Sequence, residues 1–426
     1  MRTDSKILNF VRTSCGAIVL SALTATPLVA QNSTLSPYSH YGVGLLTPKE
    51  DACAAGLGHA GVALAPNEWV NISNPAALCN LDSLTFYFNF QVKGFHSNQS
   101  TSFSTNSLNS ANIDGITMGF RAKKWLGIAI GYAPYSSVGY NMTEYEYVVG
   151  TDIRYEKNYK GSGGMQQAFV TASVSPWKHI VLGGNFSMLW GSITKSETAK
   201  FSDVLEGEDI TNSLKYTMNN IYWELGIQFD FDLGQNNFRF GAAYSPKKEF
   251  YSSYDQNVSN SVSSELMHDD ITPLLEDFHV PNNYVVGFAY TRRRFLATID
   301  YRLAEWSKIS TSKFHEKVTY RNSYTIGGGM QYSAGNRIDP FWKRLRYRVG
   351  GYYTQNYLDL SGINLQEYGA DLGFSIPIGR SANYINFSIE RAVRGTRYAS
   401  MVREKFTTLK LAFNVHETWF VKSKFD

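Results

Sequence analysis

Ile221-Tyr222-Trp223-Glu224-Leu225-Gly226-Ile227-Gln228-Phe229-Asp230-Phe231-Asp232 alternates over its whole length. A β-strand sends successive side chains to opposite faces. Ile221, Trp223, Leu225, Ile227, Phe229 and Phe231 therefore share one face, and Glu224, Gln228, Asp230 and Asp232 the other. In a soluble sandwich the apolar face would meet a second sheet. In a membrane barrel it meets lipid, and the polar face lines the lumen. One strand does not separate the two cases, but the set does.

The same period recurs through the chain. Leu84, Phe86, Phe88, Phe90 and Val92 oppose Thr85, Tyr87, Asn89, Gln91 and Lys93. Shorter runs follow at 116–120, 126–132, 168–174 and 180–188, and further strands near 236–250, 282–291, 295–308, 318–332, 343–356, 363–377, 383–395 and 403–415. The count is about fourteen, an even number, as a single-chain bacterial barrel requires. Short connections near 121–124, 176–178, 233–236, 291–294 and 379–382 alternate with longer ones near 97–110, 137–163, 193–213 and 251–281. Trp125, Trp177, Trp342 and Trp419 fall at the short-turn ends, and Trp190 and Trp306 near the other, as two interfacial belts would.

Composition agrees. Charged residues are 18% of the 426, below the usual share of about 25%, and aromatics are 15%. No apolar run beyond the N-terminus approaches the roughly 18 residues of a membrane helix. The formal charge of +4 is too balanced for a nucleic-acid binder. Arg2, Lys6 and Arg12 precede an apolar segment ending near Ala30, which reads as a secretory signal peptide. The expected organisation is a signal peptide over 1–30, a hatch over 31–83, and a transmembrane antiparallel barrel over 84–426 with a periplasmic C-terminal tail. No Gly-x-Ser-x-Gly, His-Glu-x-x-His or P-loop pattern occurs, so no catalytic residue, cofactor or metal is expected and the chain is not read as an enzyme. His59, Cys53 and Cys79 lack metal-type spacing.

Ahead of the strands lies Gly56-Leu57-Gly58-His59-Ala60-Gly61-Val62-Ala63-Leu64-Ala65-Pro66, running on to Asn71-Ile72-Ser73-Asn74-Pro75-Ala76-Ala77-Leu78. It is rich in small residues, has neither helical nor strand period, and ends in an Asn-Pro turn signal. Such a segment packs only inside something larger, as a plug. Cys53 and Cys79 bracket it. Two cysteines in an exported chain suggest a disulfide closing it into a loop; the alternative is two buried thiols. The lumen-facing charges, Lys93, Arg239, Asp300, Arg302, Arg346, Arg348, Asp371, Glu390 and Lys410, are of both signs. They read as paired side chains holding the plug rather than as a selective ion ring.

Three segments resemble the FadL family of outer-membrane transporters: Gly56 to Leu78; Trp125-Leu126-Gly127-Ile128-Ala129-Ile130-Gly131-Tyr132-Ala133-Pro134; and Pro281-Asn282-Asn283-Tyr284-Val285-Val286-Gly287-Phe288-Ala289-Tyr290, continuing to Glu305-Trp306-Ser307-Lys308. The resemblance implies a fourteen-stranded barrel in the bacterial outer membrane with an N-terminal hatch, monomeric and without a cofactor. It implies import of a hydrophobic small molecule, such as a long-chain fatty acid, by diffusion past the hatch residues Gly56, Gly58, Asn74, Pro75 and Ala76. It implies lateral release into membrane lipid at the third strand, where Gly131, Pro134 and Tyr135 would mark an opening. Pro134 removes a ladder donor there; alternatively it ends the membrane part of that strand. In the outer loop, Thr272 and Pro273 could start a short helix with Ile271, Leu274, Leu275 and Phe278 along one side as a capture stripe; alternatively these pack on neighbouring loops. The competing function is structural. Some FadL-like barrels, the PorV type among them, look like scaffolds or partners of another envelope protein in secretion or surface attachment. An apolar tunnel beside Pro134 favours transport, and a filled lumen with a flat, ordered outer face favours the scaffold.

Overall fold

In the computed structural model, the strands close on themselves. Residues 36–201, 208–260, 267–268, 278–309, 318–335, 339–360, 362–378, 383–398 and 401–418 are described. The fourteen barrel strands are β1 Thr85–Ser100, β2 Thr105–Lys123, β3 Leu126–Tyr147, β4 Arg154–Trp177, β5 Ile180–Lys200, β6 Ile210–Leu233, β7 Asn236–Ser245, β8 Asn283–Arg292, β9 Phe295–Ala304, β10 Ser323–Ser333, β11 Arg346–Leu360, β12 Ile363–Pro377, β13 Tyr384–Arg394 and β14 Arg403–Thr418. Each pairs antiparallel with its neighbours, and β14 returns to β1 from Thr85↔Thr418 to Ser100↔Arg403. Pairing of β14 with β1 leaves the sheet without terminal edge strands, the condition for spanning a bilayer with strands.

The alternation works as the sequence indicates. Ile130, Val170, Leu225, Ile299, Val349 and Leu409 are exposed on the outside, each on a different strand. Most of their inward neighbours are polar or small, with Thr171, Thr298 and Lys410 buried, while Phe169 packs inward against the hatch. One end of the barrel has two-residue turns, at 124–125, 178–179, 234–235 and 293–294. Gly234 and Arg293 take the left-handed backbone that such turns need. Trp125, Trp177 and Trp342 are exposed around this end. Trp306 is not part of a second belt: it is 3% exposed and stacks on Tyr357 at 4.0 Å inside the barrel.

At the other end the sequence reading needs correction. The expected long connections at 137–163 and 193–213 are mostly strand. β3 to β6 continue as paired strands far beyond the apolar band, to Tyr147↔Arg154, Glu156↔Lys200 and Ala199↔Ile210. Tyr251–Asn260 extends the same sheet along β6. Beyond the band the outward side chains of β5 and β6 turn to Ser, Thr, Asn and Lys, as at Ser192, Thr194, Lys215, Thr217 and Asn219. The apolar–polar contrast that marks a strand vanishes, although the ladder does not. Side-chain bonds across it, Ser196–Ser213 at 3.0 Å and Thr198–Thr211 at 3.0 Å, add to the pairing.

Candidate functional site: the hatch and the split wall

The hatch crosses the lumen as a chain of caps and close approaches. Asp51 starts the one-turn helix α1, Ala52–Ala55, by accepting from the Cys53 amide at 2.7 Å, while Asn89 of β1 donates to its other oxygen at 2.6 Å. Gly56 ends that turn and faces the backbone of Gly373. Asn74 caps the 3-10 turn Pro75–Asn80 through the Ala76 amide at 2.9 Å, with Pro75 at its first position. The Asn74 amide group also donates to Val62 O at 2.8 Å. α1 packs on β12–β14, and the 3-10 turn on β3–β6.

This placement separates the cysteines. Cys53 lies in the cluster of Leu57, Leu64 and Trp69. Cys79 donates to Ser173 O at 3.2 Å on β4. Both are buried free thiols, so the expected disulfide is not formed. The segment between them runs across the lumen instead of folding back.

Close approach is made possible by glycines on the wall, which the sequence reading did not single out. Side chains at Gly127, Gly183, Gly226, Gly241, Gly327 and Gly350 would collide with the hatch backbone or its Asn74 side chain, and a methyl group at Gly329 would lie 2.7 Å from Leu57 Cα. These seven glycines sit on six strands at the height of the hatch. Their signal was present as glycines recurring on the lumen face of the strands.

Charged groups complete the fastening. Asp300 Oδ2 accepts from the Gly61 and Val62 amides at 2.7 and 2.8 Å. Arg239 donates to Ala65 O, and Arg346 pairs with Glu68. Lys410 holds Glu50 at 2.9 Å and Asp114 at 3.2 Å. Asp114 reaches the lumen because the β1–β2 register shifts beside it. His59 takes a left-handed backbone, φ 62°, and points Nδ1 at Glu50 at 2.7 Å and Nε2 towards Glu390 at 3.8 Å. Burial would raise the Glu50 carboxyl, but His59 and Lys410 outweigh it and hold the group below its usual range. Burial would lower the His59 imidazole, but Glu50 and Glu390 hold it well above. The Glu50 contribution to hatch seating is thus present above the ordinary carboxylate pKa and lost as pH falls; the His59 contribution is present below about 6.5 and lost as pH rises through the raised value.

The wall itself is split at the third strand. The β2–β3 ladder runs from Lys123↔Leu126 to Ile116↔Tyr132 and stops. Gly131 is still paired on both sides, with Thr117 and Phe169. Pro134 sits at a register shift opposite Gln166, and Tyr135 turns inward beside Tyr222. Beyond them the β2 side of β3 is taken by the N-terminal segment. Thr47 donates to Tyr135 O at 2.9 Å, Leu46 and Leu45 pair with Ser136 and Ser137, and Ser36 donates to Gly139 O at 2.7 Å. The first described residue thus lies in the long-strand half of the barrel.

Above the hatch is a cavity of about 360 Å³, whose lining includes Lys49, His59, Glu224, Glu390, Arg394 and Lys410. Beside it, Val43, Tyr140, Met165, Ile193, Tyr216 and Phe278 form a buried apolar cluster. Phe278 is buried against Tyr216 at 5.1 Å. Ile271, Leu274 and Leu275 lie outside the described residues.

Asn74→Ala should cost about 1–2 kcal/mol, because it removes a cap and leaves Val62 O without its shortest partner. Urea titration of hatch protease protection in the detergent-solubilised protein measures it.

A family model described as BamG matches residues 12–426. No curated protein sequence matches. Among solved structures, a Pseudomonas aeruginosa FadL homologue is similar at TM-score 0.58 and 11% identity, over 88% of this chain and 100% of that one. The Pseudomonas putida toluene transporter TodX gives 0.58 and 15%, over 88% and 99%. The Ralstonia pickettii toluene transporter TbuX gives 0.57 and 14%, over 85% and 96%. At these identities the likeness is one of fold.

Proposed function

The chain belongs to the BamG family, and from that premise we propose that it is a sealed barrel of the bacterial outer membrane that serves as a fixed partner of another envelope protein. The observation that carries this reading is the occupied split: the strand edge at which a lateral opening would lie is hydrogen-bonded to residues 36–47 of the same chain. Two further features support it. The remaining cavity carries charged groups among its aromatic lining, with Lys49 on Glu224 at 2.6 Å, and an apolar solute seated there would strip their hydration without replacing it. The extension of β3–β6 with Tyr251–Asn260 holds a continuous polar ladder outside the apolar band, a rigid surface for a protein rather than a greasy funnel.

A second reading is passage of a small hydrophobic molecule, such as a long-chain fatty acid, with lateral release beside β3. The interrupted β2–β3 ladder and the transporter fold of TodX and TbuX favour it. It requires the 36–47 segment to leave its place.

One experiment separates the readings. The protein is purified from membranes after mild crosslinking, and uptake of long-chain fatty acids and toluene is compared in cells with and without the gene. The proposal expects one stoichiometric envelope protein to co-purify and equal uptake in both strains. Gene-dependent uptake with no such protein would replace it by the second reading.

A further inference from the structure

We propose that His59, Asp371 and Glu390 form a site for one divalent transition-metal cation, zinc or manganese by the donor set, that clamps the hatch to the wall. One ligand atom from each of the three lies within 4.8 Å of the others. Ligands about 2.1 Å from a zinc ion stand about 3.4 Å apart in a tetrahedron, so a contraction of an ångström or so closes the site.

The cluster is more than a group of acids. Asp371, on β12, is 1% exposed, and its Oδ2 is buried with no hydrogen-bond partner among the described residues. A buried carboxylate oxygen left alone is costly, and a cation beside it removes that cost. The charges point the same way. Among the described residues, the carboxyl groups of Glu50, Asp114, Asp371 and Glu390 gather around one lysine, Lys410, and one imidazole, His59.

The surroundings are those of a metal-binding histidine. His59 Nδ1 donates to Glu50 at 2.7 Å, which fixes the tautomer and turns Nε2 towards Glu390. Glu50 is itself held by Lys410. The Tyr352 hydroxyl donates to Glu390 and its ring packs edge-on to the imidazole at 4.7 Å. His59 and Glu390 also line the 360 Å³ cavity, which provides an entry path and room for water in the open coordination positions. One histidine with two carboxylates suits zinc or manganese better than copper or an iron–sulfur cluster. Because His59 belongs to the hatch and the carboxylates to β12 and β13, bound metal ties the two together.

The test uses the full-length protein purified in detergent. Elemental analysis before chelation, then calorimetric titration of chelator-treated protein with zinc chloride and manganese chloride, should give one equivalent of one of these ions. Asp371→Asn and Glu390→Gln should each lower affinity by 10-fold or more while the barrel keeps its heat-modifiable gel mobility. Metal should also raise the thermal midpoint of the wild type and not of Asp371→Asn. No binding to the stripped wild type, or equal binding by Asp371→Asn, would overturn the site. Should both variants lose heat modifiability, the stripped wild type decides alone: absence of a one-equivalent, chelator-reversible isotherm rejects the proposal.

Discussion

Lys410→Met is expected to loosen the hatch by about 3–5 kcal/mol, a shift of 100-fold or more in the equilibrium between seated and released hatch. Lys410 lies on β14, almost wholly buried, between Glu50 of the hatch and Asp114 of the wall. Methionine replaces the stem but not the charge. Asp114 would then lose its buried cation, and Glu50 would be left with His59 as its remaining partner. Relief comes only by letting the hatch move or by protonation. Limited trypsinolysis in detergent should therefore cut the variant within residues 36–83 at a rate at least 100-fold above wild type, while the barrel remains heat-modifiable. Lys410→Arg keeps the charge and should retain most of the protection. Equal protection in Lys410→Met and wild type would mean that the ion pairs do not hold the hatch.

Ile227→Arg is expected to cost about 2–4 kcal/mol of barrel stability, because the side chain faces outward within the apolar band. Leu225 and Phe229 flank it on the same face. The control is on the same strand and face. Thr217 lies ten residues earlier, paired with Ser192 and Ser253 beyond the band. Thr217→Arg should cost less than about 1 kcal/mol. Folding titrations into lipid vesicles measure both. Equal costs at the two positions would contradict the assignment of the lipid-facing band.

Much of this architecture is legible in the sequence. Alternation such as that from Ile221 to Asp232 marks the strands wherever lipid forces one face to be apolar. Mixed charge on the lumen face, from Arg239 to Lys410, marks a fastened plug, and the structure has Asp300, Arg346 and Lys410 on hatch groups. What was hidden follows one rule: contacts set by tertiary geometry leave no local period. The extension of β3–β6 past the band is hidden because its outward residues need not be apolar. The pairing of Leu45 and Leu46 with β3 is two residues long. Asp371 and Glu390 are register partners on neighbouring strands, but His59 lies more than 300 positions before them and meets them only when the hatch is inside. Cys53 and Cys79 read as pairable from an exported compartment and from bracketing the plug, yet the hatch carries them to different walls.

The occupied split is also the most direct place to test whether the barrel works sealed. Leu46 and Ser136 are register partners across it. Leu46→Cys with Ser136→Cys should form a disulfide that locks the N-terminal segment to β3. Uptake of long-chain fatty acids and toluene is then followed in cells carrying the double variant, oxidised and after reduction, together with recovery of the co-purifying envelope protein. The account predicts that uptake matches cells without the gene in both states, and that the partner is recovered undiminished from the oxidised form. Uptake that is blocked by oxidation and restored by reduction would show that the split must open, and would contradict it.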